Sequence, residues 1–215
     1  MVRILVINPN SSLACGKGID AAVAPFRTPN GPAIDVVSVR DGPPAILSWR
    51  DWHAAVEPLC RTVETSPAEV YVIACASDPG LEAVRALTPA PVLGVFRCAV
   101  AAAMTRAERF GVIAIVEASR GRHLAALRAM GVDARLTGEV ALNVSMDTLL
   151  DPAAARAALV SAARSLVAGG AEAIILGCTG MAGHRDAVEQ AAGVAVIEPC
   201  QAGAAMARLA IGLTA

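Results

Sequence analysis

The sequence predicts an α/β fold of two similar lobes, each with a parallel sheet of about four strands flanked by helices. An internal repeat is the first reason: residues 68–75 are AEVYVIAC and residues 171–178 are AEAIILGC, an offset of 103 positions. The same offset places the strand-like segment 91–95 (PVLGV) on 194–198 (VAVIE). Strand-like and helix-like segments also alternate along the chain, which is typical of parallel sheets with right-handed crossovers. We therefore expect a pseudo-two-fold axis relating the lobes, with a cleft between them.

Short apolar runs bounded by turn residues define the first lobe, because this pattern is typical of strands buried on both faces. Pro9 should end the first strand, and Ser11 or Ser12 should cap the helix that follows. The predicted order is a strand at 2–7, a helix to about 24, a strand at 33–39, a lid-like loop at 40–48, a helix at 49–65 kinked at Pro58, the repeated strand at 68–75, a helix at 79–88 with Pro79 in its first position, and a strand at 91–95.

The second lobe is expected to repeat this arrangement. Asp151 and Pro152 should begin a long helix as N-cap and first helical residue, and Gly131 should follow the end of another helix. The predicted order is a helix at 97–109, a strand at 110–116, a helix at 119–131, a weaker strand at 134–144, a helix from 152 to about 169, the repeated strand at 171–178, a helix at 181–192, a strand at 194–198 and a last helix at 199–212.

The last helix has no strand after it, so it should pack back on the first lobe. The predicted domains are therefore residues 1–96 with 199–215, which carry Cys75, and residues 97–198, which carry Cys178.

Composition excludes several classes of partner. The net charge of −1 and the scattered basic residues argue against nucleic acid, and aromatic residues make up only 3%. Mean hydropathy is +0.56, yet no apolar run approaches the roughly 18 residues of a membrane span. With no signal-peptide core either, we expect a cytoplasmic protein without membrane partners that acts on a small molecule. Homo-oligomerisation stays open.

The six cysteines and three histidines do not form a disulfide or zinc pattern. Four of the cysteines are expected to be small buried hydrophobes: Cys15, Cys60, Cys98 and Cys200. No dinucleotide or phosphate-loop motif is present, so the predicted chemistry uses no cofactor and no metal.

Cys75 and Cys178 are different, because each ends a repeated strand where ligands of parallel sheets gather. Turn and helix-start residues follow both, and backbone N–H groups there should lower the thiol pKa from its free value of about 8.5. One thiolate could then take a proton from one face of a carbon while the other thiol delivers a proton to the opposite face. Facing each other, the two cysteines predict a two-base inversion of a carbon acid.

Such a reaction needs donors where negative charge develops on oxygen. The backbone N–H groups after each cysteine are candidates, and Gly80 and Gly180 let the backbone approach a ligand closely. Side-chain donors are expected from Asn8, Ser11, Ser77 and Thr179.

Four segments carry a resemblance to a known family: INPNSS (7–12), ACASDPGLEAVR (74–85), PVLGV (91–95) and LGCTGMA (176–182). The chain resembles the aspartate/glutamate/hydantoin racemase superfamily, and within it the hydantoin racemase branch, which includes allantoin racemases. The resemblance implies a two-lobed α/β fold and cofactor-independent racemisation beside a carbonyl, with Cys75 and Cys178 as acid and base. It also implies substrate contacts by Asn8, Ser11, Asp78, Gly80, Thr179 and Gly180.

Two departures from the superfamily pattern bear on the substrate. Ala-Ser-Asp-Pro-Gly follows Cys75 where amino-acid racemases have Asn-Thr, which favours the hydantoin branch. Phe96-Arg97-Cys98 replaces a small or acidic pair, so Arg97 could meet a substrate carboxylate or ureido oxygen. For Asp78, a role as a turn former or helix cap competes with substrate contact.

Other functions remain as alternatives. An aspartate or glutamate racemase or a maleate isomerase would use the same two thiols, whereas an arylmalonate decarboxylase keeps only the second. A cysteine hydrolase needs a histidine base, and His184, mid-helix, is poorly placed to be one. A non-catalytic small-molecule sensor leaves the paired cysteines unexplained.

Overall fold

Two parallel sheets of four strands, each flanked by helices, form the chain in a computed structural model that describes residues 2–145, 148–149 and 151–214. Both sheets have the same strand order, β2-β1-β3-β4 and β6-β5-β7-β8. The predicted fold class is therefore confirmed. The strands are β1 (Arg3–Asn8), β2 (Ala33–Ser38), β3 (Val70–Ile73), β4 (Val92–Gly94), β5 (Phe110–Ala114), β6 (Leu136–Ala141), β7 (Ala173–Leu176) and β8 (Ala195–Ile197).

Helices connect the strands throughout. They are α1 (Leu13–Val23), α2 (Trp49–Ala54), α3 (Val56–Thr65), α4 (Leu81–Leu87), α5 (Val95–Met104), α6 (Arg120–Ala129), α7 (Pro152–Ala168), α8 (Arg185–Ala192) and α9 (Pro199–Thr214). Short 3₁₀ helices lie at Ala24–Phe26, Glu117–Ser119, Asp133–Arg135 and Thr179–His184.

Several predicted helix ends are confirmed by their hydrogen bonds. Ser12 caps α1 by accepting from the N–H of Cys15 at 3.2 Å. Asp151 caps α7 by accepting from two backbone N–H groups of the first turn. Gly131, just after α6, has a φ of +70°, as a residue following a helix end often does.

Several predicted helix boundaries are wrong, among them the end of the helix predicted at 97–109, which lies at Met104. The segment 49–65 breaks into α2 and α3 at Ala55, and Pro58 lies in the first turn of α3, where its missing N–H costs little. Pro79 precedes α4, whose N-cap is Gly80 with a φ of +68°. The helix predicted from Arg97 begins two residues earlier, at Val95.

Each sheet packs against a helix that follows the last strand of the other sheet. Phe96, Val100 and Ala103 of α5, which follows β4, are buried with residues of β5 and β7. Cys200 and Ala204 of α9, which follows β8, are buried with residues of β1 and β3. α5 and α9 also contact each other, so the two sheets are joined by exchanged helices.

Within the described residues, no helix has the length and apolar character that a membrane span requires.

Candidate active site

One small cavity is lined by both repeated cysteines. Cys75 follows β3 and Cys178 follows β7, and both strands are fully buried. The cavity has a volume of about 40 Å³. The remaining lining comes from Asn10, Cys15, Ala45, Ile46, Leu47, Ala76, Ser77, Ile115, Ser119, Arg122, His123, Gly177 and Thr179.

The two thiols interact electrostatically. Burial, together with negative charge on Cys75, raises the pKa of Cys178 to about 12. Burial also raises the pKa of Cys75, although hydrogen bonds from Ser77 oppose the shift; the Ser77 Oγ lies 3.5 Å from the Cys75 Sγ. Because each ionised sulfur disfavours ionisation of the other, the pair holds one proton more readily than none.

The expected lowering of both thiol pKa values is therefore wrong for the empty cavity. Burial outweighs the backbone donors, since the cavity walls are largely apolar. The helix after Cys75 begins only at Leu81, too far for its N-terminal N–H groups to reach the sulfur. Each sulfur does receive one of the predicted backbone donors, the N–H of Ser77 at Cys75 and the N–H of Gly180 at Cys178.

Of the residues predicted to contact substrate, Ser77 and Thr179 line the cavity. Gly180 is not part of the lining, but its backbone N–H donates to Cys178, which is. Asn8 and Ser11 do not line it. Asn8 is buried and its Nδ2 donates to Asn10 Oδ1 at 3.0 Å, so it orders the turn that presents Asn10.

The loop at 40–48 covers one side of the cavity with Ala45, Ile46 and Leu47. The backbone N–H of Ser11 donates to the Pro43 carbonyl at 3.0 Å and holds the loop to the turn after β1. Arg122 Nη1 donates to the Leu47 carbonyl at 3.3 Å and holds its other end to α6. The predicted lid-like loop is thus hydrogen-bonded to the turn after β1, in the first half of the chain, and to α6, in the second half.

Asp78, Gly80 and Arg97 lie outside the cavity lining. The Asp78 carboxylate accepts from the backbone N–H groups of Phe96 at 2.9 Å and Arg97 at 3.0 Å. It therefore caps α5, which explains why that helix begins early. Gly80 packs against α3, and the Arg97 side chain pairs with Glu82 at 2.9 Å.

Asp78 and Arg97 instead border a neighbouring pocket of about 290 Å³, which also includes Trp49 and Trp52. This second pocket shares Ser77 and Arg122 with the cavity. Trp52 Nε1 donates to the Ser77 carbonyl at 2.9 Å, which fixes the turn after Cys75.

Burial raises the pKa of Asp78 to about 7, although two backbone N–H groups and Arg97 favour the carboxylate. With a folded pKa above the unfolded value near 3.9, the folded protein binds more protons between about pH 4 and 7. The contribution of Asp78 to stability is therefore fully present below about pH 4 and falls as the pH rises to about 7.

We expect the stability of the Asp78→Asn variant to increase relative to that of the wild type as the pH rises, because asparagine cannot ionise. Between pH 4 and pH 8 the difference in unfolding free energy should move in favour of the variant by more than about 1 kcal/mol. Urea unfolding at both pH values measures this. Asp186→Asn, at an exposed side chain, is the control and should show no such trend. A pH-independent gap for Asp78→Asn would contradict the raised pKa.

Sequence reasoning missed four polar residues of the cavity: Asn10, Ser119, Arg122 and His123. The Nδ1 of His123 lies 3.0 Å from Glu139 Oε1, and its ring stacks on Phe96 with centroids 4.6 Å apart. Arg122 and His123 occupy the first turn of α6, after β5. Because β5 is central in its sheet, the start of the next helix could have been placed at the same edge as Cys178.

His184, considered as a hydrolase base, is buried outside the cavity lining. Its Nε2 lies 2.9 Å from the Leu149 carbonyl oxygen, so it joins two parts of the second half of the chain. Among the described residues, no group of three or more His, Cys, Asp or Glu side chains could hold a metal ion.

Comparison with known proteins places this site in a family. The family model described as Asp/Glu/Hydantoin racemase matches residues 4–207. The hydantoin racemase of Paenarthrobacter aurescens is 36% identical over 220 residues, which cover 99% of this chain and 92% of that protein. The allantoin racemase of Klebsiella pneumoniae is 29% identical with a TM-score of 0.90, covering 100% of this chain and 89% of that one.

The allantoin racemase of Pseudomonas fluorescens has a TM-score of 0.91 at 24% identity, covering 99% of this chain and 92% of that one, and shows the shared fold. The match to the family model extends over nearly the whole chain and includes both cysteine-bearing strands. The chain therefore belongs to the Asp/Glu/hydantoin racemase family, and it is a racemase of that isomerase family.

Proposed function

We propose that this racemase inverts the carbon beside a carbonyl in 5-monosubstituted hydantoins, with Cys75 and Cys178 as the two bases. The observation that carries the proposal is that both thiols line one small cavity, where negative charge on Cys75 raises the pKa of Cys178. The identity to a curated hydantoin racemase supports the substrate class. Allantoin, itself a hydantoin with a ureido substituent, falls within the same chemistry.

In the proposed reaction, the thiolate of one cysteine removes the proton from the carbon and becomes a thiol. The electron pair of the C–H bond delocalises onto the adjacent carbonyl, which forms a planar, enolate-like intermediate. The other cysteine then donates its proton to the opposite face and becomes a thiolate. The carbon is inverted, and the enzyme is ready for the reverse reaction.

The mutual influence of the thiols suits this cycle. Each turnover needs one thiolate and one thiol, and ionisation of Cys75 raises the pKa of Cys178. The doubly ionised pair, which has no proton to donate, is therefore disfavoured at neutral pH.

Hydrogen-bond donors for the developing oxygen charge are available in the cavity. Asn10 Oδ1 accepts from Asn8 Nδ2 at 3.0 Å and from the Ser12 N–H at 2.9 Å. These bonds fix the Asn10 amide so that its Nδ2 is the group left to donate. The hydroxyls of Ser77, Ser119 and Thr179 add further donors.

A cysteine hydrolase is less well supported, even though His123 and Glu139 lie at the cavity. A histidine base must hydrogen-bond the nucleophile. Among the described residues, neither the Cys75 nor the Cys178 sulfur is hydrogen-bonded to His123. The Cys75 sulfur is instead hydrogen-bonded to the Ser77 hydroxyl.

Polarimetry with the L enantiomer of a 5-monosubstituted hydantoin tests the proposal. Optical rotation should fall to zero much faster than in a buffer blank, and in D₂O deuterium should appear at the inverted carbon. Allantoin, L-aspartate and L-glutamate are assayed alongside. Racemisation of the amino acids alone, or of none of these compounds, would overturn the hydantoin assignment.

The proposal includes a cytoplasmic setting. All six cysteines are free in the structure, and the mechanism requires reduced thiols, which the cytoplasm maintains.

A further inference from the structure

Arg122 is a buried cation at the cavity. It lies in the first turn of α6, is only 3% exposed, and lines both the cavity and the neighbouring pocket. Arginine remains protonated even when burial lowers its pKa, as it does here. A full positive charge is therefore held within the walls that surround the two thiols.

The hydrogen bonds of Arg122 go to neutral oxygens. Its Nη1 donates to the carbonyls of Ala118 at 3.0 Å and Leu47 at 3.3 Å, and its Nη2 donates to Ser119 Oγ at 3.2 Å. Its Nε has no hydrogen-bond partner, and no carboxylate pairs with the guanidinium among the described residues. A buried charge without a counter-ion is strongly destabilising, so this one calls for an anion in the cavity.

The anion with the largest influence on Arg122 is the sulfur of Cys75, which lines the same cavity. Arg122 and Cys75 influence each other's ionisation, with Arg122 lowering the pKa of Cys75 and the Cys75 charge raising that of Arg122. Asp51 and Glu139 also act on Arg122, but more weakly than Cys75. The Asp51 carboxylate already accepts from the Ser48 N–H, and Glu139 Oε1 lies against His123 Nδ1, while Glu139 Oε2 has no hydrogen-bond partner.

The charged groups that act on Cys178 differ from those that act on Cys75. Its neighbours Cys75, Cys15 and Glu198 all raise its pKa, and only the N–H of Gly180 opposes them. The Glu198 carboxylate is itself buried, at the N-terminus of α9. Cys75 therefore has a cation, Arg122, as well as the acidic Asp78 among its charged neighbours, whereas the charged neighbours of Cys178 are all negative.

We propose that Arg122 is the counter-ion of the Cys75 thiolate, so that Cys75 ionises before Cys178 and the singly ionised enzyme carries Cys75 as the base and Cys178 as the protonated acid. This inference deepens the proposed function and rests on it for the catalytic meaning of the pair. Arg122 acts through Cys75 and is in that sense a positioning residue. This singly ionised form then reacts directly with the enantiomer whose C–H faces Cys75, and the other enantiomer reacts with the form in which the proton has moved from Cys178 to Cys75.

Other groups around the two sulfurs bear on the titration. Asp78 raises the pKa of Cys75, and the charges of both cavity sulfurs contribute to the raised pKa of Cys200. The titratable and charged groups facing the pair are Cys15, Asp51, Asp78, Arg122, His123, Glu139, Glu198 and Cys200.

The test is alkylation by iodoacetamide as a function of pH, with the modified cysteine identified by peptide mass spectrometry. In the wild type, Cys75 should titrate at a lower pH than Cys178. In Arg122→Gln the midpoint of Cys75 should rise by about 1–3 pH units, because an opposite charge nearby has been removed. Arg122→Lys, which keeps the charge, should retain most of the wild-type midpoint.

Arg128→Gln is the matched control, since Arg128 is exposed on the same helix. In this variant the alkylation midpoint of Cys75 should match that of the wild type. An unchanged Cys75 midpoint in folded Arg122→Gln would overturn the inference. If that variant does not fold, the wild type decides: earlier titration of Cys178 than of Cys75 refutes the proposal. Hydantoin racemisation by the wild type is measured separately, so the proposed function and the role of Arg122 can fail independently.

Discussion

Replacing either Cys75 or Cys178 by serine should abolish racemisation, with a loss of at least about 10²–10⁴-fold in kcat/KM. A serine hydroxyl is a far weaker acid than a thiol, so it neither ionises to a base nor donates a proton readily near neutral pH. Because inversion needs a proton removed on one face and delivered on the other, one remaining thiol is not enough. Polarimetry on the L and D enantiomers measures the loss.

Hydrogen exchange separates this mechanism from a simple loss of binding. In D₂O, each single variant should still exchange the proton of one enantiomer without inverting it, because the remaining thiol serves one face. Cys60→Ser, in α3 and outside the cavity, is the control and should racemise as the wild type does. Full activity in either Cys75→Ser or Cys178→Ser would end the two-base mechanism.

Gly177→Ala should damage the site without touching a predicted catalytic group. A Cβ at this position would lie 2.7 Å from the Ile113 carbonyl oxygen and 3.1 Å from the His123 ring. The first neighbour is backbone and cannot move aside, so the end of β7 and the adjacent Cys178 must shift. We expect a loss of about 10²-fold in kcat and of about 1–3 kcal/mol in stability.

Gly183→Ala is the matched control, since a Cβ there meets nothing within 4 Å. It should retain activity and melting temperature. Steady-state kinetics and urea unfolding of both variants provide the comparison. Wild-type kcat in Gly177→Ala would show that the position of Cys178 tolerates displacement, and would weaken the geometric basis of the site.

Much of the fold was predictable because its physical causes are local. Buried parallel strands leave short apolar runs, and the repeat at 68–75 and 171–178 doubles that pattern. Since ligands gather at the carboxyl ends of such strands, the two cysteines could be placed at one cavity before any coordinates were known. Helix caps such as Ser12 and Asp151 followed from the chemistry of their own side chains.

Features that depend on distant parts of the chain were not predictable in the same way. The early start of α5 depends on a carboxylate 17 positions before its first residue, since Asp78 caps the helix at Val95. The thiol pKa values depend on how completely the cavity is shielded from water, which no motif reveals. Arg122 was missed because a single arginine in a helix ordinarily lies at the surface.

The exchange of α5 and α9 between the sheets has a consequence for how a ligand is admitted. Opening the molecule like a hinge would have to drag each of these helices away from the sheet it covers and expose core residues such as Phe96 and Ala204. Moving the 40–48 segment outward breaks its own contacts, among them the hydrogen bonds at Pro43 and Leu47, but leaves α5 and α9 in place. We therefore expect a ligand to enter by movement of the 40–48 segment, while the exchanged helices hold the two sheets, and with them the two cysteines, in a fixed relation.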